Sequence, residues 1–172
     1  MKRPLVIVAV LLLAGSNVPD AHAQSSDVYS VNVVGFQRMD VPAGGLTMRS
    51  NPFEMESNTL NDVIGTNLTG GFNIDDADNL FLWDSDEGGY RRFYLLGDVG
   101  DPEFNHKWYD MLNQGISTDR LHVGSAFWLI SHSESNQEFV VAGDVVTNAA
   151  ISMSISTGMQ MIAYPYNAYI SL

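Results

Sequence analysis

Leu80-Phe81-Leu82-Trp83 and Ala126-Phe127-Trp128-Leu129-Ile130 are apolar at every position, so each presents an apolar surface on both faces once extended. Runs this short suit strands rather than buried helices, and a strand apolar on both faces belongs in the middle of a sheet. Turn signals border both. Asp84-Ser85-Asp86-Glu87-Gly88-Gly89 follows the first run, and Gly124 leads into the second.

The other segments fit the same plan. In Val28 to Val34, Tyr29, Val31 and Val33 share one face while Ser30 and Asn32 share the other, the alternation of a half-buried strand. Gly35 and then Pro42-Ala43-Gly44-Gly45 punctuate it, and Leu46 to Ser50 forms the next strand, stopped at Asn51-Pro52. Tyr90 to Leu96 alternates Tyr90, Arg92 and Tyr94 against Arg91, Phe93 and Leu95, so it returns against Leu80 to Trp83 as a hairpin. Phe139 to Ala142 is another strand. Ile151, Met153 and Ile155 alternate with Ser152, Ser154 and Ser156, which predicts a strand with one wet face.

One short helix stands out. Asn58 or Thr59 caps it, Leu60, Val63 and Ile64 share its buried side, and Gly65 suits its C-terminal left-handed position. Residues 67–79 are polar and glycine-rich, a surface loop. Asp101 to Gly115 admits two readings: a helix with Pro102 at its first position and Phe104, Trp108, Met111 and Leu112 on one face, or a short strand at Lys107 to Asp110 between loops.

Gly45 to Phe53 returns near the end as Gly158 to Tyr166, each copy running from a glycine through a methionine to a proline followed by an aromatic ring. At the other end, Lys2 and Arg3, the apolar run Pro4 to Leu13 and Ala21-His22-Ala23 make a secretory leader over residues 1–23. The apolar run is too short for a membrane span, which needs about 20 residues, and no later stretch approaches that length. The expected fold is all-β: an antiparallel β-sandwich or barrel-like module with one short helix over residues 24–143, then the opening strands of a second, truncated copy over 144–172. Secreted, extracellular or periplasmic placement follows from the leader.

The chain carries 8 Lys+Arg against 20 Asp+Glu, a net charge of −12. Such a surface repels phosphate backbones, so nucleic acid is not an expected partner. With no cysteine, disulfides and thiolate metal sites are excluded. Asp84-x-Asp86 with Gly88-Gly89 has the opening spacing of a calcium loop, yet Leu95 stands where a bidentate glutamate is required. Asp84 and Asp86 are thus weak metal candidates, and Asp75, Asp76 and Asp78 follow no ligand spacing. Beyond the leader, the histidines are His106, His122 and His132, with no i, i+4 pair and no Gly-x-Ser-x-Gly elbow, so no cofactor or catalytic residue is assigned. Among the aromatics, Trp83 and Trp128 are expected to be buried in their strands. Trp108, Tyr109 and Tyr90 are the candidate ligand-binding rings.

Gly45 through Asn51-Pro52-Phe53, Leu80-Phe81-Leu82-Trp83-Asp84, Gly89-Tyr90 and Gly124-Ser125-Ala126-Phe127-Trp128-Leu129 together resemble the repeat of exported proteins abundant in Verrucomicrobia, Kiritimatiellae and their relatives. Their order is also similar to β-sandwich modules of secreted Bacteroidetes proteins with a glycine, an apolar strand and an Asn-Pro-aromatic turn. The resemblance covers roughly residues 28–143 and implies a fold and an exported location, with no catalytic residues to carry over. Tyr164 departs from it where the first copy has Asn51. The expectation is a structural or adhesive module, not an enzyme. The alternative is a carbohydrate-binding module or a weak glycoside-acting enzyme. Polysaccharide or other surface proteins are the expected partners, with self-association through the C-terminal edge.

Overall fold

The computed structural model describes residues 33–147, 150–155 and 157–166; the expected leader and most of the strand expected at Val28 to Val34 lie outside them. The strands are β1 (Val34–Val41), β2 (Leu46–Ser50), β3 (Phe53–Glu54), β4 (Asn79–Asp84), β5 (Gly89–Leu95), β6 (Trp108–Asp110), β7 (Gly115–Ile116), β8 (Ala126–Ile130) and β9 (Gln137–Val145), and α1 (Leu60–Val63) is the one helix among the described residues. All named pairings are antiparallel. One sheet has the order β1-β9-β3 and the other β2-β8-β4-β5-β6-β7. Both sheets stay open, so the fold is a sandwich and the barrel-like alternative is set aside.

The two doubly apolar runs became β8 and β4, adjacent and flanked by β2 and β5, which keeps both off the edges as their composition requires. Their inward residues Leu80, Phe127 and Leu129 meet Met39, Val41, Phe139 and Val141 of the small sheet in one buried core. Three strands cannot cover six. The gap is closed by α1, whose Leu60 and Val63 join the same core, with Ile64 just beyond it, against Trp108. Thr59 caps α1 with a full capping box, and Asp62 returns the bond to the Thr59 backbone. Hydrogen bonds from Ser57 and Thr59 hold the Asp62 carboxyl below its ordinary pKa.

One open alternative is decided, and other expectations need correction. Residues 101–115 follow the strand reading: turns flank β6, and no helix forms there. Gly35 does not end a strand but lies inside β1, directly opposite Gly143 of β9. The reason is space, since a Cβ on Gly35 would strike the ring of Phe53, and one on Gly143 would stand 2.5 Å from the Glu54 carbonyl oxygen. The paired glycines form a thin spot in the small sheet through which Phe53 reaches the core, fully buried. Residues 151–155 take no strand conformation despite their alternation, and none of the described strands pairs with them.

Asn51 is buried at the junction of the sheets. Its side chain accepts from the Phe53 amide and donates to the Leu121 carbonyl at 2.7 Å, while its backbone exchanges bonds with Ser125 and Gly124. The second copy of the motif reaches the same place from another direction: Ile162 bridges Ser125, and the Ala163 amide donates to the Gly124 carbonyl. Gly124, at φ +83°, leaves room for this, for a Cβ there would lie 3.0 Å from the Met153 methyl and 3.3 Å from the Ala163 oxygen. Tyr164, at the position of Asn51, is half exposed.

Candidate functional site

Register decides which side chains share the outer face of the six-stranded sheet. Phe81 stands opposite Arg92 and Trp128, Trp83 opposite Tyr90, and Met48 opposite Trp128. With Leu46 and Ile130 one pleat further along, these residues project away from the core. The loop over residues 72–78 shelters the β5–β6 end of this face. There Tyr94 packs with Ala77 and Leu96 in a second cluster that Ile74, Tyr109 and Ile116 join. Burial, and then the neighbouring Tyr109, raise the pKa of Tyr94 above its ordinary value. The β2–β8–β4 end lies bare.

On that bare end the rings make a shaped surface. Tyr90 meets Phe81 at 88° with centroids 6.5 Å apart, and Trp83 at 78° and 5.0 Å, edge to face in both cases. Beside it Leu46, Phe81, Tyr90, Trp128 and Ile130 line an apolar groove of about 350 Å³. The Arg92 guanidinium lies 5.5 Å over the Phe81 ring and donates from Nε to Asn79, with no carboxylate in ion-pair reach among the described residues. Trp83 and Trp128 are therefore half-buried on a surface rather than hidden in the core, a correction that follows from the missing cover on this side of the sheet.

Past Trp83 the face runs into a cleft of about 400 Å³ between the end of the sandwich and residues 151–154 and 160–162. Trp83, Met153 and Met161 give it apolar walls, and its polar lining comes from serine hydroxyls, Gln160 and the exposed His122. Trp83 helps to hold the cleft in shape, because its Nε1 donates to the Met159 carbonyl at 2.5 Å. No hydrogen bond joins His122 to a serine hydroxyl among the described residues.

The candidate rings divide. Tyr90, 47% exposed, is part of this surface. Trp108 is not: it is fully buried, with Nε1 donating to the Gly65 carbonyl, and has no face to offer a ligand. Tyr109 is half-buried in the sheltered cluster, its ring 5.3 Å from that of Tyr94. Leu46, Met48, Phe81 and Trp128 were missed as surface residues; for Phe81 and Trp128 the signal was there in strands apolar on both faces, whereas the alternation of Leu46 and Met48 with Thr47 and Arg49 points those two inward.

The acidic residues serve the backbone. Asp84 Oδ1 accepts from the amides of Asp86 and Glu87, so the pair forms the turn of the β4–β5 hairpin. Asp78, fully buried, accepts from His132, Thr69 and Gln137. No group of three or more His, Asp or Glu residues able to hold a metal ion occurs among the described residues. The strongest charge cluster joins Arg91 to Asp110 at 2.5 Å and to Asp119 at 2.7 Å, tying β5 to β6 and to the loop that follows β7. Burial opposes ionisation of Asp110, but bonds from the Leu112 and Asn113 backbone, Arg91 and Asn113 outweigh it and hold its pKa below the ordinary value.

No family model, curated protein or solved structure matches this chain. No helix among the described residues is long and apolar enough to cross a membrane.

Proposed function

We propose that this protein is an adhesive module of an exported protein, of the repeat type it resembles in Verrucomicrobia and Kiritimatiellae, and that it holds an uncharged partner on the bare face of its larger sheet without performing chemistry. The observation that carries this reading is one contiguous apolar face on which Leu46, Met48 and Tyr90 are exposed and Phe81, Trp83 and Trp128 are half-buried beside them. Contiguous apolar surface of this kind costs solubility and marks an interaction site. The carboxylates with shifted pKa values, Asp62 and Asp110, are engaged in a helix cap and an ion-pair network, which supports a role outside catalysis.

The test is binding of the full-length protein to an array of extracellular polymers, glycans and matrix proteins together, by surface plasmon resonance, with product analysis of the eluate. Wild type is expected to be retained on at least one polymer and to release no products from it. Tyr90→Ala and Trp128→Ala should weaken that retention at least tenfold at unchanged melting temperature. Retention indifferent to both substitutions, or turnover of the polymer, overturns the proposal.

A further inference from the structure

Resting on the adhesive reading, we infer that the partner is a neutral glycan chain, one pyranose unit of which sits in the cleft beside Trp83 while the chain continues over Tyr90 into the groove between Phe81 and Trp128. A sugar ring has an apolar face of C–H groups and an equatorial rim of hydroxyls, and it asks of a site one flat apolar wall and several neutral donors and acceptors around it. The cleft provides both. The Trp83 indole, with Met153 and Met161, is the wall, and the hydroxyls of Ser85, Ser152 and Ser154 are among the polar groups around it. Each hydroxyl both donates and accepts, which matches the dual character of a sugar hydroxyl. Its volume of about 400 Å³ falls in the ordinary range of small-molecule sites, ~300–1,000 Å³.

Charge narrows the class. No Asp, Glu, Lys or Arg lines the cleft, and the one guanidinium beside the groove, that of Arg92, is engaged by the Phe81 ring and Asn79. The chain as a whole is at −12, and a field of that sign opposes the approach of uronate or sulfated polymers. The shape of the aromatic strip narrows it again. Tyr90 stands nearly perpendicular to both Phe81 and Trp83, so the rings do not form one plane. A flat crystalline polymer surface would touch only their highest edges. A single chain, whose successive rings turn relative to one another, meets Trp83, Tyr90 and the Phe81–Trp128 groove in succession.

Affinity electrophoresis of the full-length protein in native gels containing galactomannan, mixed-linkage β-glucan or polygalacturonate tests this. The expected result is retardation by at least one of the two neutral polymers, insensitive to added salt, and none by polygalacturonate. Ser154→Trp, which fills the cleft from an exposed position, should weaken retardation at least fivefold, while Thr118→Trp, an equally bulky change at an exposed position outside the cleft and the groove, stays within twofold of wild type. Trp83→Ala should abolish it, and Ser154→Trp decides the same question if Trp83→Ala does not fold. If neither neutral polymer retards the protein although some partner in the array is lost on Tyr90→Ala, the glycan inference is wrong and the adhesive reading stands. If Tyr90→Ala changes no interaction at all, the adhesive reading falls with it. Retardation equal in wild type and Ser154→Trp removes the cleft from the site, and retardation by polygalacturonate overturns the neutral class.

Discussion

Arg91 and Asp110 show how a single pair is set by its neighbours. The Asp110 side chain is only 3% exposed, yet four donors, counting two backbone amides, Arg91 and the Asn113 amide group, keep it charged. For Arg91, burial works against the charge, and the bonds it donates to Asp119 and Asp110 overcome it so that its pKa rises. Because the folded-state pKa of Asp110 lies below its unfolded value of ~3.9, its contribution to stability is present above that pH and disappears as pH falls through the folded value. The melting temperature of wild type is therefore expected to drop steeply below about pH 4. Asp110→Asn should lower stability at pH 7 by ~1–3 kcal/mol and flatten that acid limb, as followed by circular dichroism across a pH series. An acid limb equally steep in the variant would show that other carboxylates carry it. None of this was legible beforehand, because Asp110 and Arg91 are separated in sequence and only the β5–β6 register brings them together.

Among the elements, the central strands were the most legible part of the chain. A run apolar on both faces has one physical solution in a small β protein, and β4 and β8 took it. The hairpin through Asp84 to Gly89 and the Thr59-capped helix were readable for local reasons, since turn and cap chemistry act over a few residues. Gly35 misled because a glycine inside a strand and a glycine ending one look alike in sequence. What separates them is the approach of Phe53, which comes from a different strand. The same contact yields a prediction. Gly143→Ala places a methyl group against the Glu54 backbone, which cannot swing aside as a flexible side chain does, and should cost ~1–3 kcal/mol in denaturant unfolding. A change below a few tenths of a kcal/mol would mean that β3 shifts freely against β9. Trp108 was misplaced for a related reason: its buried side is defined by α1, which closes over β6 only in three dimensions.

At the scale of the molecule, the described residues beyond Val145 add no strand to either sheet. Among the described residues their ties to the larger sheet include the Ser125–Ile162 bridge, the Ala163 bond to Gly124, the Trp83 bond to Met159 and the buried ring of Pro165, while Met159, Ile162 and Tyr164 are half exposed. Removal of residues 150–172 should lower the melting temperature by only a few degrees, since ~1 kcal/mol moves it by ~2–8 °C for domains of this size range, yet it deletes one wall of the cleft. Calorimetry of the truncated chain checks this, and loss of the cooperative transition would make the segment part of the sandwich core. The small sheet carries a different consequence. Among the described residues β1 and β3 both pair only with β9, and Val34, where β1 begins, stands beside Asp144, where β9 is about to end. A pull applied between residues 34 and 145 thus acts across the rungs at one end of the ladder and breaks them one after another, like a zip, instead of shearing all of them at once. Such a pull opens the β1–β9 ladder from that end at low force, while the β2–β8–β4 face proposed to hold the partner lies on the other sheet.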